Sequence, residues 1–287
     1  VLSGDRLRIA IPSKGRLKEH AEALLRDAGL VFPSNSRRLF AVCRETGIGV
    51  IFSHAQDIPA LVSEGVVDLG ITGSDLVREK GADVIEHRKL GFGRCRLSVA
   101  VHVDSAYRAP KDLAGRIVGS KFVRLAHEYF EREGVRDVNV IEIQGAVEVM
   151  VLLGLVDAIV EIVETGNSLI ENDLREIAVV TEAETVVIGS PEPQHIEERD
   201  RLLRRLDGVQ IASRYSLVEY NCPAARIEEA KRVTPGLSSP TIQNTGSPDW
   251  LAVRVMVERR QVQEVMDRLE QIGCVGILEM ELRHARL

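Results

Sequence analysis

Apolar positions along the chain fall into short runs, each closed by small or polar residues. Residues 7–11 have a strand pattern that stops at Pro12, and Ser13-Lys14-Gly15-Arg16 then leads into helical spacing over 17–28. Runs at 39–43 and 48–53, joined by a turn at 45–47, predict a hairpin. Ile58, Leu61 and Val62 give 56–64 a helical period. The buried-strand run 66–72 ends in Thr72-Gly73-Ser74-Asp75. Beyond residue 90, strands at 97–103, 117–120 and 138–143 alternate with helices at 123–133 and 146–153. That spacing predicts a second α/β unit with a largely parallel sheet.

The stretch 157–169 repeats the strand, small-residue loop, helix order and adds charge. Ala158, Ile159, Val160, Ile162 and Val163 form a strand interleaved with Asp157, Glu161 and Glu164, and Thr165-Gly166-Asn167-Ser168 follows. Successive backbone N–H groups and two hydroxyls in such a loop suit a phosphate. The same residues also fit an ordinary turn capped by Ser168. The carboxylates favour the ligand reading, because acids beside a phosphate nest are useful when they hold a sugar diol or a metal ion.

Strands at 177–181 and 185–190 and a helix at 196–206 return the chain to the first unit, making that domain discontinuous: 1–94 with 184–213, around a second domain at 95–183. From residue 214 to 287 the order changes to strand 211–220, helix 223–233, strands 241–244 and 250–257, helix 261–272 and strand 275–282. That is the β-α-β-β-α-β order of a ferredoxin-like (ACT-like) α+β domain.

Composition narrows the function. With 287 residues, 45% of them hydrophobic, the chain buries a full core. Its net charge of -6 argues against nucleic acid as a partner. Cys43, Cys95, Cys222 and Cys274 are widely spaced, without the patterns of a zinc ribbon or disulfide framework. No run approaches the ~20 apolar residues of a membrane span, and the N-terminal stretch lacks a signal-peptide pattern, so a cytoplasmic protein with reduced thiols is expected. Anionic ligands then need local cations. Lys14 and Arg16 stand at a strand's carboxyl end, where open α/β sheets bind ligands, though two solvated loop cations would look the same.

Several segments resemble the long form of the ATP phosphoribosyltransferase family of histidine biosynthesis. They are IPSKGRL (11–17), DLGITGSDLV (68–77), LGFGRCRL (90–97), the signature running from Glu148 through Gly154, Asp157 and Glu161 to TGNSL (165–169), and TPGLSSPTI (234–242) followed by PDW (248–250). The resemblance implies a two-lobed, periplasmic-binding-protein-like catalytic core with a C-terminal regulatory domain. It implies that ATP and 5-phosphoribosyl 1-pyrophosphate condense to N1-(5-phosphoribosyl)-ATP and pyrophosphate, with Mg2+ as cofactor. Thr165, Gly166, Asn167 and Ser168 would cradle the 5-phosphate, and Glu161 would hold the ribose diol or its metal. Lys14 and Arg16 would face the polyphosphate, with Gly73 and Ser74 lining the nucleotide wall. Asp157 joins the substrate-binding set or anchors the loop, and Glu164 has no assigned task. The family also implies a homo-oligomer, a dimer or hexamer, inhibited by histidine bound near Asn221, Leu237, Thr241 and Gly276.

Three positions depart from the family pattern: Glu161 replaces the usual Asp, Ser168 the usual Thr, and His54 an Arg that meets the leaving pyrophosphate. The first two keep charge and hydroxyl. A neutral imidazole cannot replace a bidentate cation, so Arg16 or Arg37 is expected to carry more of that role, or His54 to act protonated. Asn221, where relatives more often have an acid, weakens pairing with a histidine amino group. The rival from another class is a two-lobed small-molecule binding protein without catalysis, which has no use for a phosphate loop flanked by acids.

Overall fold

The computed structural model describes residues 6–33, 39–145 and 147–286. They fall into two compact units: the described parts of Val1–Ala23 with Val31–Arg199, and Leu24–Leu30 with the described part of Asp200–Leu287. Among the described residues no helix is long and apolar enough to cross a membrane.

The first unit holds two sheets. Its first sheet is built from β1 (Arg8–Pro12), β2 (Phe40–Val42), β3 (Gly49–Ser53), β4 (Leu69–Gly73), β5 (Ile85–Lys89) and, from much later in the chain, Thr185–Gly189. Helices α1 (Gly15–Asp27), α2 (Ile58–Ser63) and α3 (Ser74–Lys80) follow β1, β3 and β4. β1 pairs in parallel with β3 and β4, while β2 pairs antiparallel with β3. Ile58 and Val62 of α2 pack against Ala10, Val186 and Ile188. Gly70 permits this, since a Cβ there would lie 2.5 Å from Ile58 Cγ2.

The second sheet comprises β6 (Cys95–His102), β7 (Ile117–Ser120), β8 (Asn139–Glu142), β9 (Ala158–Val163) and β10 (Leu174–Ala183), in the order β10-β6-β9-β7-β8. Helix α4 (Val123–Arg132) covers one face through Leu125, Ala126, Tyr129 and Phe130. Helices α5 (Val147–Leu152) and α6 (Asn167–Glu171) cover the other through Val147, Val151 and Leu169. This sheet is mixed, not largely parallel: β7 runs with β8 and β9, but β6 is antiparallel to both neighbours. The reason is connectivity, because β6 brings the chain in from the first sheet and β10 takes it back to β11 (Thr185–Gly189). Leu90 N–H donates to Thr185 O and Thr185 N–H to Phe92 O, so the two crossovers lie side by side. Across the sheets, the Glu79 carboxylate of α3 accepts the N–H groups of Arg124 and Leu125 at 3.0 Å each, closing the first turn of α4.

Helix α7 runs Ile196–Arg214, eight residues past the expected end at 206, and the strand expected from 211 starts at Tyr215. The apolar residues Val209, Ile211 and Ala212 continue a helical face, which alternation over so short a window imitates.

The second unit carries a four-stranded antiparallel sheet. β12 (Tyr215–Pro223), α8 (Ile227–Val233), β13 (Thr241–Asn244), β14 (Trp250–Glu258), α9 (Val262–Ile272) and β15 (Val275–Glu281) follow in sequence, with strand order β13-β14-β12-β15. That is the ferredoxin-like arrangement. Val218, Tyr220, Val253 and Val255 face Ala230, Val265 and Leu269 of the two helices.

Candidate functional site

In the first unit the segments that follow β4 and β9 contribute to one cleft. Ser13 N–H donates to Ser53 O at 2.7 Å, tying the loop after β1 to the end of β3. Lys14 and Arg16 follow, exposed, around Gly15 at φ +76, and His54 stands exposed just after β3. Gly73 ends β4, and a Cβ there would sit 2.2 Å from Asp75 Oδ1. Ser74 pairs with the crossover: its N–H donates to Glu184 O at 2.9 Å and its Oγ accepts Glu184 N–H at 3.2 Å. Lys14, Arg16, His54, Gly73 and Ser74 therefore share one edge of the first sheet. Arg37 lies outside the described residues.

The facing edge belongs to the second sheet. Thr165 is exposed on the loop after β9, Gly166 at φ +88 is the N-cap of α6, and Asn167 and Ser168 are exposed in its first turn. Gly166 has no side chain to cap the helix, Thr165 Oγ1 accepts the Asn167 N–H at 3.5 Å, and Ser168 is not the cap that the ordinary-turn reading requires. Ser168 lies inside the helix and donates its hydroxyl to Glu148 Oε1 at 3.1 Å. Beneath the loop Glu161 is 14% exposed. Its Oε1 accepts Ile162 N–H at 3.0 Å, and its buried Oε2 has no hydrogen-bond partner. Burial pushes the Glu161 carboxyl up, and the Ile162 N–H and Lys121 pull it down.

Asp157 sits at the opposite end of β9, four residues or about 13 Å of strand from Glu161. Its Oδ1 accepts the Tyr107 hydroxyl at 2.8 Å and its Oδ2 the Ile117 N–H at 3.0 Å, which anchors β9 to β7.

Three residues outside the expected site set belong here. Lys121, just after β7, places Nζ 3.7 Å from Glu161 Oε2, and Glu148 holds Ser168. Arg96 forms a bidentate pair with Glu176, donates to Glu164 O at 3.4 Å and so props the loop. The signal for Lys121 was its place at a strand's carboxyl end, shared with Lys14. The two edges meet where Arg16 Nη2 approaches Glu164 Oε2 at 2.6 Å. Behind that contact, Ser74, Lys89, Arg94, Arg96, Glu164 and Glu184 line a cleft of about 520 Å3. Cys95 opens into it, its thiol pushed up to about 11 by burial and by the Asp75 and Glu164 carboxylates. A strand-end loop of small hydroxyl residues, with the largely buried carboxylate of Glu161 on the strand before it and Lys14 and Arg16 on the facing edge, suits a phosphorylated sugar with an anionic leaving group.

In the second unit Asn221 and Gly276 are adjacent, since a Cβ on Gly276 (φ +61) would lie 3.3 Å from Asn221 Nδ2. Thr241 stands on the edge strand β13, separated from Asn221's strand by β14. Leu237 lines a different cavity, of about 190 Å3, with Tyr215, Pro235 and Met256. The structure brings the first two of these four residues together and leaves the others apart.

Comparison with known proteins agrees with this architecture. The ATP phosphoribosyltransferase (HisG) family profile matches residues 54–208, and the HisG C-terminal domain profile matches 212–284. An ATP phosphoribosyltransferase of Rhodopirellula baltica is 45% identical over 98% of this chain and 94% of its own. One of Methanopyrus kandleri is 40% identical over 96% and 98%. Among solved structures, the ATP phosphoribosyl transferase (HisG:HisZ) complex from Thermotoga maritima aligns with a TM-score of 0.61 at 27% identity, covering 70% of this chain and 96% of that one. Tv2483 bound to L-arginine aligns at TM-score 0.50 and 14% identity, over 70% and 84%, a likeness of fold alone.

Proposed function

This chain belongs to the ATP phosphoribosyltransferase family of histidine biosynthesis, and we propose that it condenses ATP with 5-phosphoribosyl 1-pyrophosphate in the cytoplasm, as a homo-oligomer inhibited by histidine. N1 of the adenine attacks C1 of the ribose, the C1–oxygen bond to pyrophosphate breaks, and N1-(5-phosphoribosyl)-ATP and pyrophosphate leave. The observation that carries this reading is the Thr165–Ser168 stretch at the carboxyl end of β9, with Glu161 on that strand, its buried Oε2 without a hydrogen bond and 3.7 Å from Lys121 Nζ.

Such a displacement develops positive charge on the sugar and negative charge on the leaving group, so positioning and electrostatics do most of the work. Amides and hydroxyls of Thr165, Gly166, Asn167 and Ser168 receive the 5-phosphate. Glu161 accepts the ribose hydroxyls and faces the developing charge at C1. Lys14 and Arg16 meet the pyrophosphate, with Arg37 and His54 as further contacts, and Gly73 and Ser74 flank the nucleotide. Mg2+ bound to the pyrophosphate would supply charge neutralisation. Among the described residues no group of three or more His, Cys, Asp or Glu stands together, so the chain offers such an ion Glu161 rather than a cage.

The test is pyrophosphate release from ATP, 5-phosphoribosyl 1-pyrophosphate and Mg2+, with phosphoribosyl-ATP identified by mass. Absence of release in either order of addition overturns it. Histidine added to the same assay tests inhibition.

A further inference from the structure

We propose that Cys222 and Cys274 form a redox-active pair in the second unit, a modification site that closes to a disulfide when hydrogen peroxide oxidises it and reopens with a dithiol reductant. The pair takes no part in the reaction proposed above and does not depend on it.

Placement and contact carry the proposal together. Of the four free cysteines, these two alone belong to the second unit, and they share one core cluster with Tyr220, Ala230 and Leu269. Asn221 of β12 pairs with Val275 of β15 in an antiparallel ladder, so the next residues outward, Cys222 and Cys274, meet across it. Opposed residues of such a ladder have Cα atoms about 4.5–5.5 Å apart, inside the span of about 4.4–6.8 Å that a disulfide bridges without moving the backbone. The two thiols are already in hydrogen-bond contact. Cys222 in turn donates its own S–H to Pro223 O at 3.4 Å. Cys274 is fixed by its N–H, which donates to Leu269 O at 3.0 Å, just after Gly273 ends α9 at φ +91.

The contact gives the two sulfurs different tasks. Burial pushes the Cys222 thiol up and the hydrogen bond from Cys274 pulls it back, whereas burial and the neighbouring Cys222 push Cys274 up to about 12. Cys222 is therefore the sulfur that attacks. As a thiolate it takes one oxygen of the peroxide, the O–O bond breaks, and the departing hydroxide collects the proton that Cys222 has lost, leaving a sulfenic acid and one water. The Cys274 sulfur then attacks the Cys222 sulfur, the S–O bond breaks, and the oxygen leaves with the Cys274 proton as a second water. The two thiols give up two hydrogens with their electrons, and a dithiol reductant returns them by exchange, leaving as its own disulfide. Exposures of 0% and 3% make the first step slow and keep bulky oxidants out, while the second is fast because Cys274 is already in place. Oxidation stops at a reversible stage instead of running on to sulfinic acid.

The test is to treat the full chain with hydrogen peroxide until the peptide carrying Cys222 stops changing, alkylate the remaining thiols in denaturant, and map the peptides without reduction. Wild type should lose both thiols together and yield a cross-linked peptide joining Cys222 to Cys274, and dithiothreitol should restore the pair. Cys274→Ala should leave on Cys222 a sulfenic acid that dimedone captures, a product that wild type should not show. Thiols of Cys222 and Cys274 that both remain open to alkylation, sulfinic acid on Cys222 of wild type without a cross-link, a cross-link to Cys43 or Cys95 instead, or equal dimedone capture by wild type and Cys274→Ala overturns the proposal. If Cys274→Ala does not fold, the wild-type map decides alone. Wild type that forms the cross-link but releases no pyrophosphate keeps the redox pair and loses only the proposed function.

Discussion

Arg16 Nη2 and Glu164 Oε2 lie 2.6 Å apart, joining the start of α1 to the loop after β9 across the mouth of the cleft. Both side chains are well exposed, 76% and 47%, so the pair stabilises the fold by at most about 1 kcal/mol. Its consequence is for binding. A cation proposed to meet pyrophosphate is engaged by a carboxylate of the protein, and the substrate must displace that carboxylate. Glu164 acquires the task of competing for Arg16.

Glu164→Gln removes the competing charge. KM for 5-phosphoribosyl 1-pyrophosphate is expected to fall by up to about fivefold with little change in kcat, in keeping with an exposed ion pair worth about 1 kcal/mol. Steady-state kinetics at saturating ATP measure it. A KM that rises would mean that Glu164 contacts the substrate instead.

Arg16→Ala and Arg37→Ala separate the cations assigned to the leaving group. If Arg16 takes over the role suggested for a fixed cation where His54 stands, its loss should lower kcat by about a hundredfold, the range for removing one stabiliser of developing charge. Turnover near wild type in both variants would leave a protonated His54 as the remaining candidate, and His54→Ala would then carry the defect.

Gly166 is the position where backbone conformation decides the loop. At φ +88 a side chain is strained although the nearest atom to a Cβ, Arg96 Nη2, is 3.8 Å away. Gly166→Ala should therefore cost about 1–2 kcal/mol by conformation alone, about tenfold in KM for the phosphoribosyl substrate. A thermal midpoint close to wild type would place the cost in the loop. An unchanged KM would remove the loop from phosphate binding.

Much of this site was legible because the relevant rule is local. A buried strand ending in small residues before a helix marks a ligand edge, and residues 72–75 and 165–168 both have that form. What was not legible depends on three dimensions. β5 reads Ile-Glu-His-Arg-Lys and has no apolar alternation, since it forms an edge of its sheet. Asp157 and Glu161 point to one face of β9 by period two, yet they lie toward its opposite ends, so only Glu161 lies near the loop that follows the strand. Lys121 is a single cation after a strand. Only the pairing of β7 with β9 sets it beside Glu161.

Cys95 lines the cleft but should resist alkylation. Its thiol is pushed up to about 11, so the reactive thiolate is scarce below that pH and the neutral thiol persists through the physiological range. Iodoacetamide labelling of Cys95, followed by peptide mass, should keep rising with pH through pH 10. A rate that levels off by about pH 10, with its midpoint near about 8.5, would show an ordinary thiol. Protection by bound substrate would add that the cleft is the occupied site.

Asn221 offers the sharpest test of the histidine inhibition proposed for the second unit. Its side chain is exposed on β12 and adjoins Gly276, whose φ of +61 and bare Cα leave room beside the amide. An amide oxygen can accept from the ammonium of a bound histidine, but it brings no charge. Asn221→Asp supplies a carboxylate of nearly the same shape and turns a neutral acceptor into a charge-assisted one, a gain of about 1–1.5 kcal/mol. The inhibition constant for histidine should fall by about five- to tenfold, while turnover without histidine stays as in wild type. The gain should shrink with added salt, as expected for an exposed ion pair. An inhibition constant that does not move would place histidine away from Asn221 and Gly276, and the cavity lined by Leu237 would become the place to look.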